Sequence, residues 1–158
     1  MPQIIKYRCL NDQELRELEK EFTHFLIVQG IDDQKWKEIN KTEKEKAINL
    51  VEIFSNTVFD KIYSKIKYLE YRSSDFFSIF KVLNDETLVL RVSQQKKGLY
   101  DFKNDFDLKS CLEKRKSISF EKGKRKHKKD KLIEIHQLIT QGCIISNENM
   151  WEVFKQFY

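Results

Sequence analysis

The chain has 158 residues, a formal net charge of +5, one Pro and four Gly, so its length fits a single domain and its composition excludes collagen-like and Pro/Gly-rich linker segments. Charged residues make up 35% of the chain and apolar residues 40%, which is typical of a folded protein with a solvated surface. Residues 1–10 lack the apolar run of a signal peptide, and no run approaches the ~20 residues that cross a bilayer. We therefore expect a cytoplasmic protein without a membrane partner.

The N-terminal part begins with a well-marked helix. Asn11 and Glu14 form a capping-box pattern, apolar residues then recur at helical spacing, and Gly30 stands where a left-handed C-cap would lie. These signals predict one helix over roughly 12–29. Asp32 or Asp33 can cap a short second helix.

A long central helix is predicted next, starting from a second capping-box pattern formed by Thr42 and Glu45. Its apolar stripe lasts about five turns and comprises Ala47, Leu50, Val51, Phe54, Val58, Ile62 and Ile66. The centres of the two strongest stripes should be almost fully buried, which predicts a core containing Leu18, Phe22, Phe54 and Ile62.

Strand signals follow the central helix. Residues 73–75 are a turn cluster, and residues 76–83 are aromatic and β-branched, as strands prefer. Residues 87–93 alternate well enough to return as the second strand of a hairpin. Residues 94–112 are ambiguous between loop and short helix, and Ser117 to Phe120 predict one further short strand.

Two helices are predicted at the C-terminal end, one over 131–141 that stops at Gly142 and one capped by Ser146. Helices, then strands, then helices indicate an α+β fold. We expect N-terminal helices, including the long central helix, to pack on a small antiparallel sheet, with two C-terminal helices and a single domain over 1–158.

Charge is concentrated in one segment of the chain. Residues 113–131 hold ten Lys or Arg against three Asp or Glu, a net charge of +7, so the remainder of the chain sums to −2. Runs of like charge repel themselves, which predicts a mobile, exposed loop around 121–130. The candidate nucleic-acid-binding residues of this segment are Lys122, Lys124, Arg125, Lys126, Lys128, Lys129 and Lys131.

The basic segment has two interpretations. It can bind phosphates of RNA or DNA or an acidic protein surface, or it can be a solvated loop that aids solubility. Sequence-specific readout of nucleic acid usually requires aromatic or amide side chains among the charges, and only Phe120 and His127 approach that description.

No pattern in the sequence indicates catalysis, a cofactor or a metal. Dinucleotide, phosphate-loop, metalloprotease and esterase motifs are absent, and His24, His127 and His136 stand far apart without ligands at zinc spacing. Glu70 and Arg72 mark a candidate polar site between the central helix and the hairpin. A structural ion pair is the simpler interpretation of these two residues.

The cysteines indicate a reducing compartment. Cys9, Cys111 and Cys143 are widely separated and none belongs to a CxxC pair, whereas secreted proteins usually pair their cysteines. We expect three free thiols that fill the core as small apolar side chains.

Several stretches taken together resemble a family of short Bacteroidota proteins known only as a domain of unknown function. They are Lys6-Tyr7-Arg8, residues 25–32, Phe54-Ser55, residues 67–73 and residues 138–143. The likeness covers most of the chain and is weak over 94–125. The resemblance implies a bacterial cytoplasmic protein and supplies no activity to transfer.

By elimination, the sequence favours a non-enzymatic binding or adaptor protein that acts through a protein partner. The alternative is a nucleic-acid or ribonucleoprotein-associated factor that uses the basic segment 113–131.

Overall fold

The computed structural model describes residues 5–158, whose helices and strands confirm the predicted α+β class. The elements, in chain order, are α1 (Asp12–Glu17), α2 (Glu19–Val28), α3 (Asp33–Thr42), α4 (Lys44–Ser64), β1 (Tyr68–Arg72), β2 (Phe76–Val82), β3 (Glu86–Gln94), α5 (Asp105–Lys114), β4 (Ile118–Lys126), α6 (Lys131–Thr140), β5 (Ile144–Ile145) and α7 (Glu148–Lys155). The chain divides into two compact units, of which the first ends at Ile62 and the second begins at Tyr63. The single domain expected from the chain length stays a prediction.

The first predicted helix is two helices. The capping box is present, since the Asn11 side chain accepts from the Glu14 main chain and the Glu14 side chain accepts from the Asn11 main chain. The helical path is interrupted at Leu18, where φ is −105° and ψ is 25°, so α1 ends there and α2 begins. Gly30, with φ of +79°, follows the end of α2 in the left-handed region that glycine adopts at low cost.

Helix α4 is the long helix that the apolar stripe predicts, although its start differs from the prediction. Thr42 ends α3 and donates its hydroxyl to the Glu38 carbonyl, so the predicted capping box with Glu45 is wrong. Asp32, in contrast, caps α3 as predicted.

The core of the first unit contains two of the four residues predicted for it. Phe54 is 3% exposed, and its ring centroid lies 4.9 Å from that of Phe22, which is also buried. Leu18 is only half-buried. Ile62 is 44% exposed, so its predicted burial is wrong: the stripe on α4 is wider than the face that this helix buries near its C-terminal end.

The second unit contains a five-stranded sheet with the order β4-β3-β2-β1-β5, in which every pairing is antiparallel. The predicted hairpin is confirmed as β2 and β3. Strand β1 was not predicted, because its residues continue directly from the helical stripe of α4 and three of its five are buried, which hides the alternation of a strand.

Helices α5 and α7 cover one face of this sheet. Phe154 of α7 stacks on Phe77 of β2 with ring centroids 4.6 Å apart, and both are 0% exposed. Leu108 and Cys111 of α5 belong to the same apolar cluster. Asn147, and not the predicted Ser146, caps α7 by accepting from the Met150 main chain.

Residues predicted as the mobile basic loop are in fact a strand over much of their length. Strand β4 continues from the predicted Ser117–Phe120 segment to Lys126 and pairs with β3 from Ile118 onward. The prediction fails for 121–126 because a long-range partner supplies the main-chain hydrogen bonds that outweigh the local repulsion of like charges.

Candidate binding surface on strand β4

Strand β4 is an edge strand, and its C-terminal half, from Lys122 to Lys126, carries most of its positive charge. Its pairing with β3 places Lys122 opposite Leu90, Lys124 opposite Leu88 and Lys126 opposite Glu86. Side chains alternate between the two faces of a strand, so these three lysines project from one face. Each of them is exposed. We call Lys122, Lys124 and Lys126 the basic ridge.

The hydrogen-bond ladder fixes which main-chain groups of β4 remain open. His127 donates its main-chain N–H to Asp85 O at 2.9 Å, and Gln95 donates to Ser117 O at 2.7 Å. In an antiparallel pair the bonded residues alternate, so odd-numbered residues of β4 bond to β3 and even-numbered residues direct N–H and C=O outward. The ridge lysines therefore have outward main-chain groups, and the hydrogen bonds found among residues 5–158 include none to them from a further strand.

A buried carboxylate holds the C-terminal end of β4 against α6. Glu134 is 3% exposed, and its Oε1 accepts from the main chain of Lys128 at 2.9 Å and of Lys129 at 3.2 Å. Its Oε2 accepts from Arg125 Nη2 at 2.7 Å. Burial opposes the charge, but the two main-chain bonds and the electrostatic contributions of Arg125 and His127 outweigh it, and the pKa of Glu134 is lowered.

His127 provides a second anchor directly after the ridge. Its Nε2 lies 2.7 Å from Thr87 Oγ1, and its Nδ1 lies 3.2 Å from the Asn84 carbonyl oxygen. The imidazole is thereby tied to the turn between β2 and β3. Together with Glu134, this contact makes the basic segment an ordered surface rather than a loop.

The seven basic residues singled out by the sequence divide into groups with different roles. The ridge supplies three exposed lysines, and Lys128 and Lys129 are exposed in the following turn. Arg125 projects from the opposite face and is engaged by Glu134. Lys131 is half-buried as the first residue of α6. Five of the seven side chains are therefore open to an anionic partner.

The residue that sequence reasoning missed is Glu134. It lies in the apolar run Leu132-Ile133-Glu134-Ile135 and is buried together with Ile135. A carboxylate within such a run, four residues after Asp130 and close to a dense positive segment, is the signal that could have identified it.

Glu70 and Arg72 form an ion pair, as their spacing on one strand face allows. Arg72 Nε donates to Glu70 Oε2 at 2.6 Å, and Arg72 Nη1 also donates to Asp105 at the start of α5. Burial opposes the charge of Arg72, but these carboxylates outweigh it and the pKa of Arg72 is raised. Arg72 thus joins β1 to α5 through Asp105, which is the contribution of a structural ion pair.

The histidines and cysteines are dispersed through the described chain. Within residues 5–158 no three His, Cys, Asp or Glu side chains come together as a metal site. His136 Nδ1 lies 2.8 Å from the Tyr63 hydroxyl. Cys111 and Cys143 are buried as predicted. Cys9, in the segment before α1, is exposed, so its predicted burial is wrong.

The first unit contains a concave feature of its own, a cleft beside α1, α3 and α4. It has a volume of about 450 Å³ and is lined mainly by apolar side chains, among them Leu15, Trp36 and Val51. The cleft also contains Cys9, an exposed thiol whose pKa is raised by partial desolvation and by the charge of Glu52. The cleft offers apolar contact without an arrangement of reactive groups.

Comparison with known proteins places the chain in a family without an assigned activity. Residues 5–158 match the family of unknown function DUF6495, and the chain belongs to that family. Neither the curated proteins nor the solved structures contain a significant match. In the described part of the chain, no helix combines the length and apolar character needed to span a bilayer.

Proposed function

We propose that this member of the DUF6495 family is a non-enzymatic binding or adaptor protein of the bacterial cytoplasm, and that it acts through a protein partner. The observation that carries the proposal is the ordered, open edge of β4. It presents alternating exposed lysines together with outward main-chain groups at the same residues. This surface offers charge and hydrogen bonds for recognition.

Order at this edge favours recognition over a purely solubilising role. A solvated loop needs no anchors, whereas β4 is held along its inner side by β3 and at its end by Glu134 and His127. A surface that is already ordered loses less conformational entropy when a partner binds. The anchoring therefore stabilises the surface in one conformation that a partner can recognise.

Capture of partners by three forms of the protein tests the proposal. We would compare wild type with the ridge-reversed variant Lys122→Glu/Lys124→Glu/Lys126→Glu, using nuclease-treated native lysate and quantitative mass spectrometry. The control variant Lys96→Glu/Lys97→Glu/Lys103→Glu changes the net charge equally at exposed positions between β3 and α5, outside strand β4. We expect a protein enriched by wild type and control and lost from the ridge-reversed variant. Equal capture by all three forms would contradict the proposal.

The second candidate is a nucleic-acid-associated factor, and the five open lysines favour it. If all five contact phosphates, counterion release gives a log–log salt slope of roughly −3.5 on single strands and −4.5 on duplex. We would measure RNA binding across a salt series with the same three forms. Binding in the micromolar range or tighter at physiological salt, lost only from the ridge-reversed variant, would replace the adaptor proposal with this one.

A further inference from the structure

We infer that the partner binds as an extended acidic segment, added antiparallel to the open edge of β4 as a further strand. The inference rests on the proposed function, since it specifies how a protein partner would use the same surface. The occupant is a protein segment with carboxylates at alternating positions.

The register places charge and hydrogen-bonding groups at the same residues. Lys122, Lys124 and Lys126 direct their main-chain groups outward and their side chains to one face. At the hydrogen-bonded positions of an antiparallel pair, the two opposite residues exchange both main-chain hydrogen bonds and place their side chains on the same face. A strand added at this edge would therefore put one side chain beside each ridge lysine.

Charge complementarity selects an acidic segment. A second copy of β4 would set lysines opposite lysines, and like charges directly opposite each other destabilise a strand pair. Lysine-rich edges protect natural sheets from self-association for this reason. Carboxylates at alternating positions reverse the sign of that interaction, so the ridge disfavours basic strands and binds an acidic strand more tightly than a neutral one.

The opposite face of β4 offers an added acidic strand little free positive charge, because the exposed carboxylate of Glu121 lies there with Gly123 and Arg125. Arg125, which projects from that face, is already paired with Glu134. Gly123 has no side chain, and a Cβ there would lie 3.3 Å from a methyl carbon of Val89. Recognition is therefore confined to the ridge face, where the three lysines are exposed.

The first experiment changes the ligand and leaves the protein intact. The probe is a short synthetic peptide in which Glu alternates with Thr, used with an isosteric Gln/Thr peptide and a Lys/Thr peptide as controls. N-methylation of the Glu amides removes the hydrogen bonds that these amides donate to the ridge lysines in antiparallel register, whereas N-methylation of the Thr amides removes donors that face away from β4. Both methylated peptides retain the same charge.

Strand addition predicts a specific pattern of affinities for wild-type protein. The Glu/Thr peptide should bind at least tenfold more tightly than the Gln/Thr peptide, and the Lys/Thr peptide should not bind. Methylation at Glu should weaken binding at least tenfold, and methylation at Thr should leave it within about twofold. Equal effects of the two methylations, or no effect of either, would overturn strand addition. Binding that is weakened by methylation at Thr and unchanged by methylation at Glu would overturn the antiparallel register.

Residue-resolved hydrogen exchange supplies a second readout with the same protein and peptide. In the free protein the amides of Gly123 and Arg125 should exchange slowly and those of the ridge lysines quickly. Peptide binding should slow exchange at Lys122, Lys124 and Lys126 at least tenfold and leave Gly123 and Arg125 unchanged. Binding without this protection would overturn the inference.

Failure of the inference and failure of the proposed function give different results. If the function holds and strand addition does not, a protein is captured through the ridge while both methylated peptides behave alike. If the function fails, no protein depends on the ridge in lysate, whatever the peptide does. Tighter binding of uridine oligonucleotides than of the Glu/Thr peptide at physiological salt would overturn the inference in favour of a nucleic-acid partner.

Discussion

At the scale of single residues, Glu134 decides how the basic segment is arranged. Its carboxylate is buried, yet both of its oxygens accept hydrogen bonds from the turn and from Arg125. An unpaired carboxylate at this position would be strongly unfavourable, so the bonds to the basic segment are what allow its burial. The same bonds fix the C-terminal end of β4. The order of the candidate surface therefore depends on the ionised side chain of Glu134.

Replacing Glu134 with Gln should lower the free energy of unfolding by about 2 kcal/mol at neutral pH, because the hydrogen bonds lost are made to a charged group. The pKa of Glu134 is lowered from 4.5 in the folded protein, so its contribution is complete above that pH and is lost as the pH falls through the folded pKa. Urea unfolding from pH 7 to pH 3 should therefore show the two proteins converging in acid. A constant difference across that range would contradict this role.

The cysteines differ in exposure and should differ in reactivity. Cys9 is exposed, whereas burial raises the pKa of Cys111 and of Cys143 to about 11. We expect a thiol reagent to label only Cys9 in the native protein and the other two after unfolding. Mass spectrometry of labelled wild type and Cys9→Ser checks this, and native labelling of the Ser variant would show that the buried positions are wrong.

At the scale of elements, the periodicity of apolar residues predicts those helices and strands that are determined by residues close in sequence. The helix stripes, the Asn11–Glu14 capping box and the β2–β3 hairpin all depend on residues close in sequence, and the structure contains each of them. Strand β4 depends instead on β3, with Lys126 pairing to Glu86 across a long stretch of chain. Local charge repulsion predicted a loop there because a sequence pattern does not include the hydrogen bonds of a distant partner.

In the candidate surface, too, the sequence predicts the local features and does not predict those that depend on distant contacts. The sequence identified the basic residues, yet it could not separate the three ridge lysines from Arg125, because their faces depend on register. Residues Ser117 to Phe120 predict a short strand, and the charge run that follows obscures its continuation. Glu70 and Arg72 were identified as a pair, but their partner Asp105 is remote in sequence.

The orientation of α4 is tested by two truncations on the same helix. Phe54→Ala should lower the free energy of unfolding by about 3–5 kcal/mol, the usual range for emptying a buried Phe site. Ile62→Ala should cost less than about 1 kcal/mol because that side chain is 44% exposed. Denaturant melts of both variants measure the difference, and similar losses would contradict the orientation of this helix.

At the scale of the whole molecule, the charge is divided unevenly along the chain. The segment 113–131 carries +7 and all other residues together carry −2, so long-range attraction of an anionic partner is concentrated around β4 and the following turn. Such attraction accelerates encounter for any polyanion and therefore does not choose between RNA and protein. The choice depends on short-range contacts, for which the outward main-chain groups of β4 favour an extended protein segment.

The most direct measurement is therefore the ratio of two dissociation constants, taken for wild-type protein at physiological salt with the acidic Glu/Thr peptide and with single-stranded RNA of similar length. The account predicts that the peptide binds more tightly, that RNA binding is weak and erased by added salt, and that the ridge-reversed variant loses the peptide. RNA binding in the micromolar range or tighter, exceeding that of the peptide and lost in the same variant, would contradict it.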